Sequence, residues 1–141
     1  MSDRVFLDTN ILVYAYHSGS PDRKEIARAL LEEGIRNDTL FLSAQVWSEF
    51  FVTVTGKIRP PLTPDEADQI MDSLSIIPVV EIDLAMVRRA IEIRVRYGIS
   101  YWDSLIISAA ERAGCGKVYS EDLSEGQEYH GIRVVNPFKP S

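Results

Sequence analysis

Four carboxylates, Asp8, Glu49, Asp103 and Asp122, are the side chains of this 141-residue chain whose positions suggest chemistry. Asp8 ends the apolar run Val5-Phe6-Leu7, and a second apolar run begins at Ile11. A strand that stops at a carboxylate and turns at once into a helix presents that carboxylate at the carboxyl edge of a sheet, where open α/β sheets bind ligands. Asp122 follows a later short strand in the same way. Asp103 stands at a helix start and Glu49 near one, both after loops that can reach the same edge. Each residue also has a purely structural reading. Asp8 can cap a helix, Glu49 can face solvent, Ser100-x-x-Asp103 resembles a capping box, and Asp122 can cap a turn with Glu125. Taken together they read differently, because four converging carboxylates cannot all stay ionised without a counter-charge. A hard divalent cation supplies one: Mg²⁺ takes oxygen ligands and is usually held by one or two carboxylates plus substrate phosphate. The chemistry such a set can perform is metal-assisted hydrolysis of a phosphodiester.

The elements that would position these residues alternate between strand and helix. Residues 4–8 form a first strand and residues 10–17 a short, apolar, buried helix. After the turn Ser18-Gly19-Ser20-Pro21, a helix over 21–36 places Ile26, Ala27, Leu30, Leu31 and Ile35 on one face. Leu40-Phe41-Leu42 is the second strand, and Ser43 caps a helix over 44–56. That helix is apolar over more than one face (Val46, Trp47, Phe50, Phe51, Val52, Val54), so it is either a well-covered core helix or one that also meets a second chain. A proline-rich loop leads to a capping box, Thr63-Pro64-Asp65-Glu66. Residues 76–80 form a third strand, 83–97 a helix ended by Gly98, and Ser100 to Ala113 another helix. Residues 117–120 and 132–135 complete about five strands. The expected fold is α/β, a central, mainly parallel sheet flanked by helices, in a single domain spanning 1–141.

Composition narrows the class. Forty-five per cent of residues are hydrophobic, enough for a sizeable core, and no apolar run is long enough for a membrane span. A lone cysteine, Cys115, forms no internal disulfide, which together with the absence of a signal peptide predicts a cytoplasmic protein. Two histidines and no cysteine pair argue against a structural zinc site. The net charge of −6 is unusual for a nucleic-acid binder, although carboxylates gathered at a metal are offset locally. Two other Mg²⁺ or phosphate chemistries fit less well. A receiver-like phosphoacceptor needs a second acidic residue beside the first strand, and a haloacid-dehalogenase-like phosphatase needs Asp-x-Asp where this chain has Asp8-Thr9-Asn10.

The segments Leu7-Asp8-Thr9-Asn10-Ile11-Leu12, Ser48-Glu49-Phe50, Tyr101-Trp102-Asp103-Ser104-Leu105-Ile106 and Tyr119-Ser120-Glu121-Asp122-Leu123, with the closing Gly131 to Phe138, resemble in order and spacing the PIN-domain family. Within it they are most similar to the toxin ribonucleases of VapBC toxin–antitoxin pairs. The resemblance implies a three-layer sandwich and a metal-dependent endoribonuclease using Mg²⁺ or Mn²⁺. Asp8, Glu49, Asp103 and Asp122 would then be the acidic, metal-holding set. Thr9 and Asn10 would orient Asp8, and Ser120 would set its hydroxyl beside the metal. Glu121 adjoins Asp122 and could take part, although the family pattern favours Asp122. The resemblance further implies an RNA substrate, a cognate antitoxin and a homodimer. Basic residues should rim the acidic site: Lys57, Arg59, Arg88, Arg89, Arg94 and Arg96 are the candidates, with a solvated, ion-paired helix face as the alternative for the arginines of 83–97. A catalytically silent RNA- or protein-binding module on the same fold is the other functional class.

Overall fold

A computed structural model describes residues 3–139. Twelve elements follow one another among these residues: β1 (Val5–Leu7), α1 (Thr9–Tyr16), α2 (Pro21–Arg36), β2 (Leu40–Ser43), α3 (Ala44–Gly56), α4 (Pro64–Ser73), β3 (Val79–Val80), α5 (Leu84–Tyr97), α6 (Tyr101–Arg112), β4 (Lys117–Tyr119), β5 (Glu128–Tyr129) and β6 (Ile132–Val135). The strands form one sheet in the order β3-β2-β1-β4-β6-β5. Every pairing is parallel except β5 with β6.

This order explains the three layers. From β1 the chain steps outward through β2 to β3, crossing by α1/α2 and then α3/α4. It then returns past β2 and β1 by way of α5/α6 to pair β4 against the free side of β1. Right-handed crossovers running in opposite directions put their helices on opposite faces of the sheet. The direction reverses between β1 and β4, a topological switch point, and the crevice above such a point is where doubly wound folds bind ligands. Central strands are covered on both faces, and Val5, Phe6 and Leu7 are accordingly buried one after another rather than alternately. Phe6, Leu7, Ile11, Leu12, Leu42, Phe50 and Ile107 are fully buried.

Local signals set the helix boundaries. Thr63 and Glu66 make both halves of the capping box. The Oγ of Ser43 accepts from the Val46 N–H at 3.3 Å, and Asp83 caps α5 through the Met86 N–H at 2.9 Å. Gly98 ends α5 in the left-handed conformation, φ 69°. Two expectations needed correction. The third strand is only Val79–Val80, because Ile76 stays exposed and residues 74–77 turn. A sixth strand, β5, forms a hairpin with β6 through His130 (φ 52°) and Gly131 (φ 82°), the positive-φ pair that a tight two-residue hairpin turn requires. On α3, Val46, Trp47, Phe50 and Val54 enter the core, while Phe51 and Val52 stay exposed.

Candidate active site

Asp8 lies one residue beyond β1 and is buried, its extended backbone capping α1. Its Oδ1 accepts the Thr9 N–H at 2.7 Å, and its Oδ2 accepts the Ser120 hydroxyl at 2.7 Å. Ser120, just past β4, is fully buried, and its Oγ in turn accepts the N–H groups of Asp122 and Leu123, each at 3.2 Å. One hydroxyl thus joins the turn after β4 to the carboxylate after β1. Beside it, the Thr9 hydroxyl donates to Glu49 Oε1 at 2.7 Å, bringing the α3 carboxylate to the head of α1. The Asn10 amide donates to Asp122 Oδ2 at 3.0 Å, while its carbonyl oxygen accepts the Glu121 N–H at 3.2 Å. Asp103 stands in the first turn of α6, where Ser100 caps its N–H at 3.0 Å. These bonds join Asp8, Thr9, Asn10, Glu49, Ser120 and Asp122 at the carboxyl ends of β1 and β4, while Asp103 shares no hydrogen bond with them and is felt through the Glu49 and Asp122 charges.

Electrostatics link Asp8 and Asp103 indirectly, since the Glu49 and Asp122 charges act on both. Burial pushes the Asp8 carboxyl up to about 6; the Ser120 and Thr9 hydrogen bonds oppose this, and the Asp122 and Glu49 charges add to it. The Asp103 carboxyl is also raised, first by burial against the Ser100 hydrogen bond, then by Asp122 and Glu49. No ion pair among the described residues reaches any of the four. Nor, among those residues, are three Asp, Glu, His or Cys side chains gathered into a ready-made metal cage. The donors fit a hard cation of the Mg²⁺ or Mn²⁺ kind: they are carboxylate oxygens, no ion pair among the described residues reaches them, and Mg²⁺ prefers to complete its shell with water and substrate oxygens. Asp8 and Asp103 would hold such an ion, with Glu49 and Asp122 beside them. A cleft of about 860 Å³ opens over this edge, with Thr9, Asn10, Gln45, Glu49, Trp102 and Asp122 in its lining.

The PIN domain model matches residues 5–124, from β1 through the Ser120–Asp122 turn. The chain belongs to the PIN domain family. Solved structures with the same fold include VapC20 of Mycobacterium tuberculosis, a sarcin–ricin loop cleaving toxin (18% identity, 84% of this chain and 89% of that one, TM-score 0.69). A toxin–antitoxin complex from Klebsiella pneumoniae is similar at 19% identity over 94% and 97% of the two chains, with a TM-score of 0.66. VapBC2 of Rickettsia felis, bound to a DNA fragment from its promoter, gives 20% identity over 92% and 96%, TM-score 0.66. No curated protein sequence matches the chain.

On this PIN fold several side chains behave differently from expectation. Asn10 does not hold Asp8; it holds Asp122, and Thr9 reaches Asp8 through its backbone N–H while its hydroxyl serves Glu49. Ser120 is buried, and its hydroxyl is shared among Asp8 and the N–H groups of Asp122 and Leu123. Glu121 points elsewhere: it accepts the Tyr14 hydroxyl at 2.6 Å and the Arg23 guanidinium at 2.8 Å. Burial opposes ionisation of Glu121, but these two bonds outweigh it and hold the carboxyl below its usual range. The expected basic rim is thin. Arg89 is taken by Glu111 and Glu92, Arg94 donates to the Ile99 carbonyl, and Arg59 to the Gly56 and Ile58 carbonyls. Lys57, however, lines the cleft. Gln45 was not singled out in the sequence. Its amide nitrogen reaches both Glu49 Oε2 at 3.3 Å and the Trp102 carbonyl at 3.1 Å, tying α3 to the start of α6. The available signal was its place four residues before Glu49 on a helix with little other polar surface.

Proposed function

We propose that this PIN-domain protein is a metal-dependent endoribonuclease, the toxin of a type II toxin–antitoxin pair. The observation that carries the reading is a buried Asp8, held by Ser120 and Thr9, with the Glu49 and Asp122 charges acting on both Asp8 and Asp103 and no ion pair among the described residues reaching the set. When bound, Mg²⁺ or Mn²⁺ would lower the pKa of a water and polarise the phosphoryl oxygen. The chain's own part is positional. Ser120 and the Thr9 N–H fix both oxygens of Asp8, Thr9 and Gln45 fix Glu49, and Asn10 fixes Asp122. Their rotamers are set before substrate arrives, which is the preorganisation that electrostatic catalysis needs.

The similarity to solved toxin–antitoxin and VapBC complexes supports an antitoxin partner, and a homodimer belongs to the same proposal. Exposed apolar side chains are available for such contacts: Phe51 and Val52 on α3, and Leu84, Ile91 and Val95 along one face of α5. No helix among the described residues is long and apolar enough to cross a membrane. The test is RNA cleavage by the purified, partner-free protein. We expect cleavage with Mg²⁺ or Mn²⁺ that stops in excess EDTA and is lost in Asp8→Asn and Asp103→Asn. Cleavage that persists in EDTA defeats the mechanism. RNA binding with neither cleavage nor Mn²⁺ binding makes the chain a silent binding module instead.

A further inference from the structure

Trp102 is a large aromatic side chain that the fold leaves in solvent at the mouth of the carboxylate cleft. It is 61% exposed, whereas the chain's other tryptophan, Trp47, is 8% exposed and stands edge-on to Phe50 at 5.3 Å. An indole left in water on the first turn of a helix forgoes the stabilisation that burial of its large apolar surface would bring. Its position is nevertheless well defined. The Trp102 carbonyl accepts the Gln45 amide that also reaches Glu49, Tyr101 stands edge-on to the indole at 5.1 Å, and the Ser100 cap fixes the turn. Trp102 is therefore anchored through its backbone next to Asp103, and it is one of the residues that line the cleft with Glu49 and Asp122.

Charge narrows the choice of occupant. A polyanion gripped only through its phosphates needs several lysines or arginines. Among the described residues that line the cleft, Lys57 is the one with a fixed positive charge, and Glu49 and Asp122 share the lining with it. Stacking on an aromatic ring supplies affinity without added positive charge, because every base has a π face. Val52 and Ile82 extend the apolar wall of the cleft. We propose that Trp102 is the stacking platform for an unpaired nucleobase next to the phosphodiester held at the carboxylates. The proposal rests on the nuclease reading and specifies what is held: an unstacked base of single-stranded RNA, since bases inside a duplex cannot offer a face to the indole.

The test titrates the intact protein with a short, unstructured, fluorescently labelled oligoribonucleotide, Ca²⁺ replacing Mg²⁺ to slow cleavage. Anisotropy of the label reports binding. Indole fluorescence of the Trp47→Phe variant, whose sole tryptophan is Trp102, reports stacking. We expect the indole to be quenched in step with binding, Trp102→Ala to weaken binding roughly 5- to 150-fold, and Trp102→Phe to recover much of the loss. Heparin, a polyanion without bases, should not quench. RNA binding with an unquenched indole, quenching by heparin equal to that by RNA, or full affinity in Trp102→Ala overturns the proposal and leaves the nuclease reading standing. The last of these results would assign the exposed indole to a protein partner. Failure of the wild-type protein to bind RNA, together with no metal-dependent cleavage, overturns both.

Discussion

The hydroxyl of Ser120 donates to Oδ2 of Asp8 at 2.7 Å, across a separation of 112 residues. The Ser120 Oγ itself accepts two backbone N–H groups from the turn that carries Asp122. It is the point where the two strands flanking the switch point are joined above the sheet. Ser120→Ala removes a buried donor and leaves two N–H groups without their acceptor. A buried group left unsatisfied costs about 1–3 kcal/mol, so the melting temperature should fall by several degrees. Ribonuclease kcat should fall more than KM rises, since Asp8 loses its orientation while the cleft keeps its shape. Thermal denaturation and steady-state kinetics check the two parts. Unchanged kcat in a folded variant would confine Ser120 to stability.

Asp8 should make the metal-free protein less stable as pH rises. Its carboxyl keeps its proton up to about 6 in the folded chain, whereas the ordinary value is 3.8. Between these values the folded state binds more protons than the unfolded one, so unfolding becomes easier as pH increases. The penalty is absent below about 3.8 and fully present above about 6, and it amounts to about 3 kcal/mol at most, at 1.36 kcal/mol per pKa unit. Asp8→Asn lacks it. The stability advantage of Asp8→Asn over wild type should therefore grow from pH 4 to pH 6 and then level off, as followed by urea denaturation in EDTA. Asp103, raised in the same direction, stays in both proteins and cancels from the comparison. Parallel profiles would mean that Asp8 is not under this strain.

Glu121 and Asp122, adjacent in sequence, should separate in function. Glu121→Gln loses a partly exposed ion pair with Arg23 and should change stability by no more than about 1 kcal/mol. Its RNA cleavage should stay near the wild-type rate. Asp122→Asn keeps the shape of the turn but removes charge from the site, and cleavage should drop on the order of 100-fold. The opposite ranking, in side-by-side rate measurements, would move the fourth acidic position to Glu121.

Much of this arrangement was legible because its signals are local. Ser43, Thr63 and Ser100 announce their helices through bonds to residues three positions on. Asp8 and Asp122 are marked by the apolar strands before them, and alternation of strand and helix is enough for a parallel α/β sheet. What stayed hidden depends on partners distant in sequence. Nothing near Glu121 reveals that Tyr14 and Arg23 will claim it, nor that Arg89 will meet Glu111 across two packed helices rather than face a substrate. Gln45 reads as one polar residue in an apolar helix until α6 brings the Trp102 carbonyl to it. The β5–β6 hairpin escaped for another reason. Its first strand has two residues and its turn is His130-Gly131, outside the usual Asn-Gly or Asp-Gly signature.

Because β4 inserts beside β1 only after every other parallel strand except β6 has been made, biosynthesis and assembly of the acidic centre run in opposite order. Asp8 leaves the ribosome 112 residues ahead of Ser120, with Asp122 following just after. A nascent or prematurely ended chain that stops before Ser120 carries Asp8 and Glu49 but lacks the strand and the hydroxyl that lock them into one centre. Parallel pairing at such long range is also slow to form. Under the toxin reading proposed above, the strand order sets an interval between translation of Asp8 and closure of the acidic centre.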